Sequence, residues 1–323
     1  MKPGCYISKT IAKFSIVAIL ISLAFAGCAE KTPIDTSWQG EPWPLKTTKG
    51  SRLETEHYII YTTVNDSAFH QAAVTLAETQ YARFHDLIAA EPKQKMTVYI
   101  FANPRQWVAF TQHRFRPEIA EMYLRIRNGG YTSNDFAAFY MMGRYATLTV
   151  MAHELFHLYL NLATSPEPVP AWINEGLASY FEAHEWNGEV PVFTPTKNLF
   201  RRQQLGDAMA KDQLFSLKEL LDTNAGDVCR KYSQDRVLTY YAQLWGLMVY
   251  LQDPSSPYHK PFEQLLAELG THSMTIRIKG YQTTLRDSDN VGLGQALFLA
   301  YLCSDPEKFE RDCNEYLQKL AGY

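Results

Sequence analysis

The 323-residue chain has little of what marks several large protein classes. Its one extended apolar run, Phe14–Ala26, is 13 residues long, too short for a comfortable spanning helix of about 20 residues. Basic charge is not in excess: 31 Lys and Arg stand against 34 Asp and Glu, a formal net charge of -3. With no long basic run either, the chain has no electrostatic footprint for nucleic acid. No internal repeat or low-complexity stretch occurs, which argues against solenoids and disordered tails. Cysteine is sparse, with five residues and no CxxC or zinc-knuckle spacing. What the chain does have is a hydrophobic fraction of 46% with 20 Tyr and 17 Phe, enough to bury a sizeable core.

The first residues read as an export signal, not as part of the fold. Lys2, Lys9 and Lys13 form a positive segment ahead of the apolar run. Two processing sites compete. Ala24-Phe25-Ala26 fits the small-x-small rule for ordinary cleavage. Phe25-Ala26-Gly27-Cys28 resembles a bacterial lipobox, with Phe25 where Leu is usual. Small residues before a cysteine at the end of the run favour lipidation of Cys28 over plain secretion or an uncleaved anchor. Ala29 is not Asp, which by resemblance to bacterial sorting rules favours the outer membrane over the inner. The expected location is therefore the cell envelope, with the domain periplasmic or surface-exposed. Loss of residues 1–27, which carry three Lys and no acid, takes the formal charge from -3 to -6. Of the cysteines, Cys229, Cys303 and Cys313 then remain, and three thiols close one bridge at most. Buried or free thiols are the plainer reading.

Residues 28–52 read as a tether, with Pro33, Pro42, Pro44, Gly40 and Gly50. The domain spans 53–323, divided into a sheet-bearing part (53–165) and a helical part (166–323). Strands are expected at 57–63 and 95–102, where β-branched and aromatic residues alternate, and at 135–142. Helices are expected at 67–90, 104–113 and 147–163. After a break at Ser165–Pro170, a helix runs from Pro170 to about Glu185. Further helices are expected at 197–211, 215–222, 234–252, 259–269, 291–302 and 305–320. The class is α+β, a small sheet with helices followed by a mostly helical half.

The chemistry concentrates at His153-Glu154-Leu155-Phe156-His157, an HExxH. Residues four apart on a helix share a face, so both imidazoles reach one ion. Glu154 lies about 100° round the helix from His153. There it can take a proton from water activated by the ion and pass it to a leaving amine. Zinc prefers four ligands and accepts imidazole nitrogen and carboxylate oxygen. Seventeen residues beyond His157, the next helix carries Asn174-Glu175-Gly176-Leu177-Ala178-Ser179-Tyr180. Glu175 is the natural third ligand, completing a His₂Glu set. Ser179, four residues later, is a candidate outer partner for a ligand imidazole, as is Asn174, although a small residue at a helix contact is the plainer reading of Ser179. Glu182 and His184 read as a solvated helix face.

HELFH followed by WINEGLASYFE resembles the gluzincins, the clan of thermolysin and the zinc aminopeptidases. The aminopeptidase gap is one residue longer. From about 53 to 318 the chain is similar to bacterial peptidase-MA-like proteins, including a later Tyr241-Ala242-Gln243-Leu244-Trp245. The resemblance implies a zincin fold and a Zn²⁺ cofactor on His153, His157 and Glu175. It makes Glu154 the general base, and Tyr241, or the adjacent Tyr240, the donor to the oxyanion. It implies a peptide or protein substrate. The acidic Gly-x-Met-x-Asn loop by which aminopeptidases recognise a free amino end is missing, so aminopeptidase activity is not expected. Strand 135–142 is instead expected to offer an edge to an extended peptide. Two rival classes stand beside the peptidase: a non-catalytic zinc-binding envelope lipoprotein acting as an interaction module, and a zinc hydrolase of non-peptide amides.

Overall fold

The computed structural model describes residues 34–35, 49–126, 129–164, 169–282 and 292–322. The expected export signal, the expected lipidation site at Cys28, most of the expected tether and residues 165–168 of the helix break lie outside them.

In chain order, strands β1 (Ile34–Asp35), β2 (Ser51–Glu54) and β3 (Tyr58–Thr62) precede helix α1 (Ser67–Leu87). Strand β4 (Met96–Phe101) is followed by α2 (Pro104–Arg114) and α3 (Pro117–Leu124), then by β5 (Gly130–Thr132) and β6 (Phe136–Tyr140). The sheet order is β1-β2-β3-β4-β6-β5. The pairs β3–β4 and β4–β6 are parallel and the rest antiparallel. Residues 135–142 therefore do not offer a free edge. They hold β6, which is covered by β5, and the edge at this end of the sheet belongs to β5.

The strands alternate as their sequences require. Tyr58, Ile60, Met96, Val98, Ile100, Ala137 and Phe139 join the main core with α1. Tyr61, Tyr99, Phe101, Phe136, Ala138 and Tyr140 pack on the other face with Trp107 and Phe110 of α2. Both long connections begin with caps legible in the chain. Asp66 accepts from the Phe69 amide ahead of α1, and Asn103 from the Gln106 amide ahead of α2.

Helix α4 (Arg144–Thr164) lies against α1, β5 and β6, and α5 (Ala171–Phe181) packs across it. A two-stranded hairpin follows, β7 (His184–Asn187) and β8 (Val190–Phe193). This corrects the helix expected to run to about Glu185. The chain turns at Gly188 with φ 65°, a left-handed conformation that glycine adopts without strain.

The remaining helices are α6 (Leu199–Ala210), α7 (Leu217–Asp222), α8 (Ala225–Lys231), α9 (Gln234–Gln252), α10 (His259–Glu268), α11 (His272–Gln282), α12 (Leu293–Tyr301) and α13 (Pro306–Ala321). Helix α9 is their hub, packed on α5, α6, α8, α10 and α13. At Gly176 a Cβ would stand 2.9 Å from Met248 Cγ, so the bare backbone lets α5 approach α9 closely. The architecture is α+β, a small mixed sheet with a larger helical half. Among the described residues no helix is long and apolar enough to cross a membrane. Cys229 is exposed, Cys303 half-buried and Cys313 buried, and all three are free.

Candidate metal centre

Helix α4 presents His153 and His157 on one face, their rings 4.7 Å apart and nearly perpendicular. Across from them α5 brings Glu175. Its Oε2 lies 3.6 Å from His153 Nε2 and 3.4 Å from His157 Nε2. One donor atom from each of the three residues falls within 4.8 Å of the others. These three form the one such group of His, Cys, Asp and Glu among the described residues. Two ligands each about 2.0–2.1 Å from a tetrahedral ion stand about 3.3–3.4 Å apart, close to the two separations from Glu175.

The outer faces of the imidazoles are held by side-chain oxygen atoms, which accept. His153 Nδ1–H donates to Glu182 Oε1 (3.0 Å) and His157 Nδ1–H to Asn174 Oδ1 (2.7 Å). With the proton on Nδ1, each Nε2 lone pair is directed inward. Glu175 Oε2 is buried and has no hydrogen-bond partner. A buried carboxylate oxygen is costly unless a cation meets it, and the groups this one faces are the two Nε2 atoms. The residues present therefore fit a divalent metal such as zinc.

The expected outer partners are corrected in part. Asn174 serves as read. Ser179 does not: it is fully buried, and its hydroxyl meets no hydrogen-bond partner. A serine is too short to reach the imidazole, and Glu182 from beyond the end of α5 takes that place. Glu182 and His184 are not a solvated face; they are 5% and 2% exposed. Glu182 accepts four hydrogen bonds. Its Oε1 takes His153 Nδ1 and Arg201 Nη2 (2.5 Å), and its Oε2 takes Arg201 Nε (2.9 Å) and Asn198 Nδ2 (2.8 Å). Asn198 also caps α6, accepting from the Arg201 amide. The forked guanidinium on a carboxylate fixes both in one geometry. Arg201, Asn198 and Glu182 carry no motif; the helix expected through 185 hid the bend that turns Glu182 inward.

The charges work against one another in a defined way. Formally, Glu154, Glu175 and Glu182 carry -3 and Arg201 +1, leaving -2 for the group, which a dication cancels. In the metal-free chain the histidines feel this. Burial opposes a charged His153, but the Glu175 and Glu182 carboxylates beside it outweigh that and lift it to about 10. His157 is raised too, against burial, chiefly by the charge of Glu175. Burial raises Glu175 and Glu182, yet His157 holds Glu175 well below the carboxylate range. Arg201 holds Glu182 down at about 2.

Glu154 is buried (7% exposed), and its Oε2 accepts from Thr132 Oγ1 at 2.8 Å. Tyr241 lies on α9 beside the centre, its ring 6.2 Å from that of His153 and beneath the Arg201 guanidinium at 5.3 Å. Burial and the nearby Glu175 push its phenol well above the ordinary value, so it stays a donor. Tyr240 is committed elsewhere: its hydroxyl donates to Thr223 O at 3.0 Å. Of the two tyrosines, the structure therefore leaves Tyr241 beside the group formed by His153, His157 and Glu175.

No protein-family model matches this chain, and no curated protein matches it.

Proposed function

We propose that the chain is a gluzincin-type zinc metallopeptidase, anchored by a lipid on Cys28 and acting outside the cytoplasm. One observation carries the reading. Both HExxH imidazoles are anchored at Nδ1, by Glu182 and Asn174, while their Nε2 atoms converge on a buried Glu175 oxygen that holds no hydrogen bond. Helices α4 and α5, bridged by that His₂Glu set beside the mixed sheet, support a zincin fold. The leader at 1–28 supports export and an envelope location, the outer membrane in particular.

Zinc held by His153, His157 and Glu175 would supply Lewis acidity, lowering the pKa of water from about 15.7 to about 7 and polarising a carbonyl. Glu154 takes the proton of the attacking water and returns it to the leaving amine. Tyr241, kept protonated, donates to the oxygen on which charge develops. Strand β5, at the sheet edge beside Glu154, is where an extended peptide adds as a further strand.

The test is hydrolysis of a broad peptide library by the wild type and by Glu154→Gln. Cleavage that disappears in a variant still holding zinc supports the reading. A fully active Glu154→Gln refutes the mechanism.

A further inference from the structure

We propose that Thr132, on the edge strand β5, is the positioning residue for Glu154. The inference rests on Glu154 being the general base.

Strand β5 pairs with β6 through Gly130↔Phe139, Tyr131↔Ala138 and Thr132↔Ala137. The pleat sends alternate residues to opposite faces. Tyr131 goes to the second core. There its ring stacks on Tyr123 at 4.1 Å, and its hydroxyl is 3.0 Å from Thr111 Oγ1. With Tyr131 fixed in that core, Gly130 and Thr132 face α4.

Both touch Glu154. Thr132 Oγ1 lies 2.8 Å from Glu154 Oε2 and 3.0 Å from the Glu154 carbonyl oxygen. A Cβ on Gly130 would fall 3.4 Å from Glu154 Cγ, 2.9 Å from Ala138 O and 2.6 Å from Phe139 Cβ. A side chain there would collide with strand β6, while the stem of Glu154 stands at ordinary contact distance.

A glutamate has three rotatable bonds, and a base works only from the geometry that reaches its proton. One hydroxyl proton on Oε2 selects that rotamer and leaves Oε1 as the proton acceptor. No other side-chain donor is recorded on Glu154 among the described residues.

The test has two arms. In the metal-free chain, urea unfolding of wild type, Thr132→Val, Glu154→Ala and the double variant forms a cycle. Thr132→Val is expected to lower the unfolding midpoint in wild type. The loss should be at most half as large in Glu154→Ala, where the one hydroxyl proton has only the neutral residue 154 carbonyl to turn to. Equal losses in both backgrounds overturn the proposal.

In the zinc-loaded enzyme, Thr132→Val is expected to lower kcat about tenfold or more, the fold-change carried by a hydrogen bond to a charged group. KM and zinc affinity should stay within about twofold, and Thr132→Ser should restore most of kcat. Unchanged kcat in Thr132→Val, or a fall that Ser does not rescue, overturns it. Should the wild type cleave no peptide, the peptidase reading fails by itself, and the unfolding cycle alone decides whether Thr132 holds Glu154.

Discussion

Replacing Glu182 with alanine should separate two jobs that one carboxylate performs. Glu182 is 5% exposed and pairs with Arg201, itself 9% exposed, through two hydrogen bonds. Removing it leaves a guanidinium buried without a counter-charge, which costs about 3–5 kcal/mol. The same substitution takes the acceptor from His153 Nδ1. Loss of such an outer partner costs about 10–100-fold in metal affinity, or about 1.4–2.7 kcal/mol. The double variant Glu182→Ala/Arg201→Met should recover most of the folding loss, because no orphan charge remains. It should not recover the metal affinity, because His153 is still unheld. Urea unfolding of the metal-free proteins gives the first quantity and zinc titration against a chelator the second. If the double variant regains both together, Glu182 acts on the metal only through fold stability, and the role given to it here is wrong.

Five further outcomes follow from the structure. Tyr241→Phe should lower kcat by about 10²–10³, the magnitude of a lost oxyanion donor, with zinc content unchanged. Tyr240→Phe should instead cost about 1 kcal/mol of stability through its lost bond to Thr223 O, with kcat kept, as steady-state kinetics and urea melts would show. Gly294→Ala should destabilise by about 1–3 kcal/mol or prevent folding, because its Cβ would meet Leu221 O at 1.9 Å; thermal melts measure this. His184 is held below its ordinary value of 6.5 by burial, against a bond to the Glu182 carbonyl. Its neutral form is the folded one, so its contribution is present above pH 6.5 and is lost as pH falls from there through its folded value. Wild type should thus lose stability more steeply than His184→Phe between pH 7 and 5. Finally, the carboxylates that lift His153 make protons compete with the metal, so zinc affinity should rise with pH across the neutral range, with protons released on binding.

Much of this centre was legible in the chain because its ligands are spaced by local geometry. His153 and His157 are one helical turn apart, and Asn174 and Glu175 open the next helix, so their meeting needed only a bend between α4 and α5. The strands β3 and β4 were legible because β-branched and aromatic residues alternate in them. The rest depends on long-range contacts that no local pattern encodes. Glu182 was hidden because Tyr180–Glu185 continues a helical pattern; Gly188 within the alternating stretch His184–Phe193 was the signal of a hairpin. Arg201 looks like any surface arginine at a helix start until Glu182 is placed beside it. Thr132 sits on a three-residue strand, too short to show a period, and its value comes from α4 lying across it. The expected edge at 135–142 failed for the same reason, since β5 returns to cover it.

The account turns on the metal, and elemental analysis of the purified mature chain beside His153→Ala tests it most directly. About one zinc per chain, lost in the variant, is the result expected. A chain that holds no metal and takes none up from added zinc would contradict the account, and would leave the anchored histidines as a hydrogen-bonded helix contact.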